Sequence, residues 1–87
     1  MASNFRIVIH RNSENLHLKL TGDFDGSSAW ELLNTLKTYS RKSNTVFIHT
    51  DGLRNVHLFG KAIFQNNFSQ IAKLPGGVFF TGNKLAI

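Results

Sequence analysis

Leu16-His17-Leu18-Lys19-Leu20-Thr21-Gly22-Asp23-Phe24-Asp25-Gly26 is the stretch that decides the fold. Its first six residues alternate apolar and polar side chains, the period-two pattern of a strand with one face on a core. Gly22, Asp23, Asp25 and Gly26 then break the strand as a turn, with the aspartates bonding their own backbone. Ser28-Ala29-Trp30-Glu31 reads as a capping box, the serine hydroxyl accepting from the third helical amide while Glu31 reaches back. Leu32, Leu33, Leu36 and Tyr39 recur at helical spacing and predict a helix over 28–42. That helix would end in Arg41-Lys42, cations suited to its negative end.

Toward the N-terminus, Phe5-Arg6-Ile7-Val8-Ile9-His10-Arg11 also alternates, and Asn12-Ser13-Glu14-Asn15 is turn-rich, so the two strands form a hairpin. A four-residue loop sets Ile9 opposite Leu18, Ile7 opposite Leu20, His10 opposite His17 and Val8 opposite Lys19. One face is then apolar and the other polar and basic, as a half-buried antiparallel pair requires. Toward the C-terminus, the β-branched and aromatic run Thr45-Val46-Phe47-Ile48-His49-Thr50 is a more buried strand, ended by Asp51-Gly52. Phe59, Ile63, Phe64, Phe68 and Ile71 predict a second helix over 58–73. Leu74-Pro75-Gly76-Gly77 is a loop, and Val78-Phe79-Phe80-Thr81 a last strand. The order β-β-α-β-α-β implies a single α/β domain over residues 1–87, a four-stranded mixed sheet with its helices on one face.

The 87 residues leave no room for a second core, and 41% hydrophobic with 17% charged residues is a globular mix. The chain has no cysteine, which excludes disulfides, thiol catalysis and cysteine-type metal sites. No apolar run approaches the roughly 20 residues of a membrane span, and the first residues lack the order of a secretory signal. Cytoplasm is the expected location, with no membrane insertion. The net charge of +5 comes from basic residues spread along the chain, without a basic tail.

From Leu16 to about Gly82 the chain resembles the STAS domain, the family of the bacterial anti-sigma-factor antagonists. Leu18-Lys19-Leu20-Thr21-Gly22-Asp23-Phe24-Asp25 is similar to the family's L-x-L-x-G-x-L-D strand and turn. His49-Thr50-Asp51-Gly52-Leu53-Arg54-Asn55-Val56-His57-Leu58-Phe59-Gly60 is similar to its D-L-S-G-V-x-F-I-D-S-S-G loop, at equal length. The departures are chemical. In regulated family members the serine before the final glycine is phosphorylated by a partner kinase; here that position is Phe59, preceded by Leu58. The family's two loop aspartates fall on His49 and His57. The family's closing C-terminal helix has no counterpart up to Ile87.

The resemblance implies a non-catalytic regulatory domain that binds an anti-sigma-factor kinase-like protein or a transporter ATPase-type assembly. The expected binding residues are Arg54, Asn55, His57, Leu58, Phe59, Gly60 and Lys61, on a strand-exit loop over 49–60 and the helix start. No phospho-switch, metal or cofactor is expected. For Phe59 the alternative is a core position, since it stands at helical spacing from Ile63. His49, Arg54 and His57 could instead hold an anion at the helix start. His10, His17 and His49 find no carboxylate to complete a metal shell. Arg6, His10, His17 and Lys19, with Phe47 or Phe79, lie on an open sheet face that reads as solvated or covered by a second subunit. The alternative function, from another class, is a small basic nucleic-acid- or nucleotide-binding module.

Overall fold

The computed structural model describes residues 4–39, 44–68 and 77–84. Its elements are β1 (Arg6–Asn12), β2 (Asn15–Phe24), α1 (Gly26–Tyr39), β3 (Thr45–Val56), α2 (Leu58–Phe68) and β4 (Val78–Thr81). They form one four-stranded mixed sheet in the order β1-β2-β3-β4, with β1 antiparallel to β2 and the other two pairings parallel. The hairpin register is the expected one: Ile7 pairs with Leu20, Val8 with Lys19, Ile9 with Leu18 and His10 with His17.

Alternation along the strands separates two faces. Leu16, Leu18, Leu20, Val46 and Ile48 are buried and form one cluster with Ala29, Leu32, Leu33 and Leu36 of α1 and Phe64 of α2. Ala29, Leu32, Leu33 and Leu36 recur at the spacing of one helix face, which is why α1 covers the sheet with that side. An aromatic chain closes the core. Phe24 meets Phe5 and Phe64 edge to face, and Phe80 meets Phe64 and Phe68 the same way. Phe64 thus bridges residues of β2 and β4. The opposite face carries no helix among the described residues.

Three expectations change. First, β2 does not stop at Thr21, and β3 does not stop at Asp51-Gly52; the two strands pair as far as Phe24 and Val56. Between Lys19 and Thr21, β2 advances two residues while β3 advances three, and between Gly22 and Asp23 it advances one while β3 advances two. Each step is a bulge that takes up one extra β3 residue. Gly22 adopts φ +91 there, a left-handed conformation that favours glycine. Gly52 is in the strand because β2 passes close: a Cβ would lie 2.6 Å from the Leu20 carbonyl oxygen. Both glycines look like turn residues in sequence and are strand residues in space.

Second, the loop expected over 49–60 is strand as far as Val56, so His57 alone separates β3 from α2. Third, α1 begins at Gly26, and Asp25, not Ser28, is its cap. The Ala29 amide donates to the Asp25 carbonyl at 2.9 Å, and the Ser28 amide donates to Asp25 Oδ1 at 3.0 Å. Ser28 is buried and its hydroxyl is within reach of Asp25 Oδ1 (3.1 Å) and the Asp23 carbonyl (3.0 Å), so it is not available to cap a later turn. The expected continuation of α1 over 40–42, and of α2 over 69–73, lies outside the described residues, as do Ile71 and Pro75.

Phe64→Ala should cost about 3–5 kcal/mol in urea unfolding, the loss typical of a fully buried phenylalanine. Leu58→Ala, at a residue 84% exposed, should stay within about 0.5 kcal/mol of the parent. Equal losses for the two would contradict the assignment of inside and outside.

Candidate functional site

The parallel pairing of β2 and β3 carries both strands to the same end of the sheet, and each turns directly into a helix. The His57 amide donates to the Phe24 carbonyl at 2.8 Å, and the Lys61 amide donates to the His57 carbonyl at 3.0 Å. His57 is therefore the cap residue of α2, anchored on the last residue of β2. One residue on, Asp25 caps α1. The two helix starts stand side by side.

Gly60 sets how close they stand. It is buried, and a Cβ there would lie 2.5 Å from the carbonyl carbon and oxygen of Asp25. Its part is to let α2 pack on the α1 cap, and being buried it offers little surface of its own. Asn55 is exposed and its side-chain amide donates to Asp23 Oδ1 at 2.9 Å, tying the ends of β3 and β2. Arg54 and His57 are exposed and Lys61 is half-buried around the start of α2.

Phe59 is not a core residue. It is 71% exposed, next to Leu58 at 84%. The inward position in this helix belongs to Phe64, five residues on and so on a different side of the helix. The Phe59 ring lies near the start of α1, where a Cβ on Gly26 would come within 3.1 Å of it. Asp25, Gly26, Ser27, Trp30, Phe59 and Ile63 line an open groove of about 420 Å³ between the two helix starts. Trp30, half exposed, is not among the expected binding residues. Its signal was there: Ala29, Leu32, Leu33 and Leu36 occupy one face of α1, and Trp30 is off it.

His49 does not join this surface. It is eight residues from the cap along an unbroken strand, and its side chain is on the open face of the sheet, with Nε2 2.9 Å from His17 Nδ1. The basic loop expected from His49, Arg54 and His57 is thus divided between two faces. On the open face His10, His17, Phe47 and Phe79 form one row across all four strands. The ring of Phe47 stacks on His17 at 4.9 Å and on Phe79 at 5.6 Å, so its two faces are occupied by neighbours. Among the described residues, no group of three His, Cys, Asp or Glu side chains could hold a metal ion. No described helix is long and apolar enough to cross a membrane.

No protein-family model matches the sequence, and no curated protein does so significantly. Solved structures do match the fold. The anti-sigma factor antagonist SpoIIAA in its unphosphorylated form aligns with TM-score 0.64 and 13% identity, over 87% of this chain and 70% of that one. An anti-sigma factor antagonist from Mycobacterium paratuberculosis aligns with TM-score 0.69 and 14% identity, over 97% and 75%. The chain has a STAS-like, SpoIIAA-like fold. The protein Mglu contains the same arrangement, with TM-score 0.75 and 15% identity over 86% of this chain; the chain spans about a fifth of Mglu's length, 19%.

Hydrogen bonds to the Ser28 amide and hydroxyl, and to the Ser27 amide, hold the Asp25 carboxyl below its ordinary pKa, with partial burial opposing them. A depressed carboxyl pKa adds stability that is present above the unfolded value and lost as pH falls through the folded one. Asp25→Asn keeps a capping side chain and removes the titration. Its urea midpoint should therefore fall less than the parent's between neutral pH and about pH 3. Parallel curves would remove Asp25 from this role. Gly60→Ala should destabilise by about 1–3 kcal/mol, the cost of forcing atoms into a packed contact; an unchanged unfolding midpoint would show that the helix starts are not in contact there.

Proposed function

We propose that this chain is a non-catalytic regulatory domain that binds another protein through the paired starts of α1 and α2. One observation carries the reading: Leu58 and Phe59, two adjacent large apolar residues, are 84% and 71% exposed beside the half-exposed Trp30. Exposed aromatic residues in a cluster, ringed by cations, are the usual composition of an interface centre. Arg54, His57 and Lys61 supply the cations, Asn55 fixes the end of the strand that presents them, and Gly60 sets the helix spacing.

The fold's likeness to anti-sigma factor antagonists makes a serine-kinase type anti-sigma factor the first partner to test, and a transporter ATPase-type assembly the second. The α2 side of this surface carries no serine switch. Residues 54–61, Arg-Asn-Val-His-Leu-Phe-Gly-Lys, contain no hydroxyl side chain, so phosphate cannot be added there to serine or threonine, and the charge change by which such a switch works has no acceptor.

The nucleic-acid reading is less well supported. The stacked rings of the open face already cover one another's faces, which leaves less area for bases than a flat aromatic platform offers.

The test is affinity capture with purified candidate partners, comparing the parent chain with Phe59→Asp and with Trp30→Ala. Phe59→Asp should keep its unfolding midpoint, because the residue is exposed, and lose binding by at least about a hundredfold, as at an interface hot spot. Trp30→Ala should weaken binding in the same direction. A folded Phe59→Asp variant that binds as the parent does would refute the docking surface. Affinity should change little with salt. A steep decline, about 0.9 log units per phosphate contact for each log unit of salt, would point to nucleic acid instead.

A further inference from the structure

The open face of the sheet holds a hydrogen-bonded chain that the docking surface does not use. His17 Nδ1 lies 2.9 Å from His49 Nε2, and His49 Nδ1 lies 2.8 Å from the Thr81 hydroxyl. The two rings are within 8° of parallel with centroids 5.2 Å apart. With a 2.9 Å nitrogen contact, this places them nearly head to head, so one proton lies between the facing nitrogens. The chain links β2 through β3 to β4, and β4 is the shortest strand, pairing among the described residues with β3 alone. The Thr50 hydroxyl donates to the Thr81 carbonyl at 2.7 Å, so Thr81 is held through both its side chain and its backbone.

We propose that His17 and His49 form a proton-counting latch that fastens the end of β4 to the sheet and releases it when both imidazoles are protonated. The facing nitrogens need one N–H and one lone pair. The neutral pair satisfies this. A first added proton can sit on an outer nitrogen, which leaves the contact intact and makes it charge-assisted. A second puts N–H groups on both facing nitrogens, and the contact must open. His49 then turns away, and its bond to Thr81 is lost with it.

The surroundings push the same way. His10 of β1 brings its ring to 6.3 Å from that of His17, Lys19 of β2 pairs with His49 across the strands, and Arg6 of β1 lies further along the same face. Thr81 of β4 contributes a hydroxyl and no charge, with Lys84 beyond it. Asp51 of β3 is the acid that opposes these cations. Burial, then the charges of His17 and Lys19, lower the His49 pKa, with Asp51 pulling it back. A histidine whose folded pKa is depressed adds stability that is complete above the ordinary imidazole value and is lost as pH falls through that value toward the folded one. The latch therefore opens on acidification at a pH below the ordinary imidazole value of about 6.5, where the second proton is taken up.

Amide hydrogen exchange of the whole chain, corrected for the intrinsic effect of pH, reads this directly. From about pH 7 to about pH 5 the amides of β4 should speed up by about tenfold or more relative to those of Leu18 and Leu20, the change expected for loss of one hydrogen bond to a charged group. In His17→Gln the carboxamide can donate to or accept from His49 by flipping, so the acid response of β4 should vanish while the fold persists. His49→Gln should flatten it likewise. Exchange in β4 that tracks β2 at every pH would overturn the latch, as would either variant, folded, that keeps the parent's acid response.

Discussion

The parallel pairing of β2 with β3, held as far as Phe24 and Val56, is the constraint on which the rest of the molecule depends. The two strands differ in length, ten residues against twelve, but the bulges absorb the difference, so they end together and each turns into its helix within one residue. The helix starts have no freedom to separate, because the His57 amide is bonded to the Phe24 carbonyl and Gly60 lies on the Asp25 backbone. From that juncture follow the groove, the exposure of Leu58 and Phe59, and the placement of Trp30 beside them. A shift of register by one residue would bury that surface or turn the core outward.

Much of this was legible in the sequence because it rests on local periodicity. The hairpin register follows from loop length and from the alternation of Ile7, Ile9, Leu18 and Leu20. The six-element order follows from switches between period two and helical spacing. The residues departing from the family pattern, Leu58 and Phe59, were identifiable from the second motif. What stayed hidden depends on long-range approach. Gly22 and Gly52 carry the same local signal in a turn as in a bulged strand, and only the neighbouring strand distinguishes them. Asp25 and Ser28 are both good caps, and the choice was made by the path of β2, which delivers the chain to Gly26. Phe59 and Phe64 both fit a helical stripe; the packing of Phe64 between Phe24 and Phe80 gives it the inward place and leaves Phe59 outside. The contact between His17 and His49 joins β2 to β3 across the intervening helix α1, and the register of that crossover is set by no local spacing.

The two faces of the sheet divide the work. The helix-covered face supplies stability through Leu16, Leu18, Leu20, Val46, Ile48 and Phe64, and its helix ends carry the apolar surface. The open face carries His10, His17 and His49. Charge gained there on acidification arises across the sheet from Leu58 and Phe59, so a partner docked at the helix starts is separated from it by the core. Residues 54–61 contain no hydroxyl group, so serine or threonine phosphorylation cannot act on that segment.

The central claim, that another protein meets this chain at the paired helix starts, is tested most directly by cross-saturation NMR on the isotope-labelled chain bound to its unlabelled partner. The account predicts signal loss at the residues around Gly26, Trp30, Leu58, Phe59 and Ile63, with His10, Phe47 and Phe79 untouched. Loss concentrated on the open row of His10, His17, Phe47 and Phe79, with Leu58 and Phe59 unaffected, would contradict it.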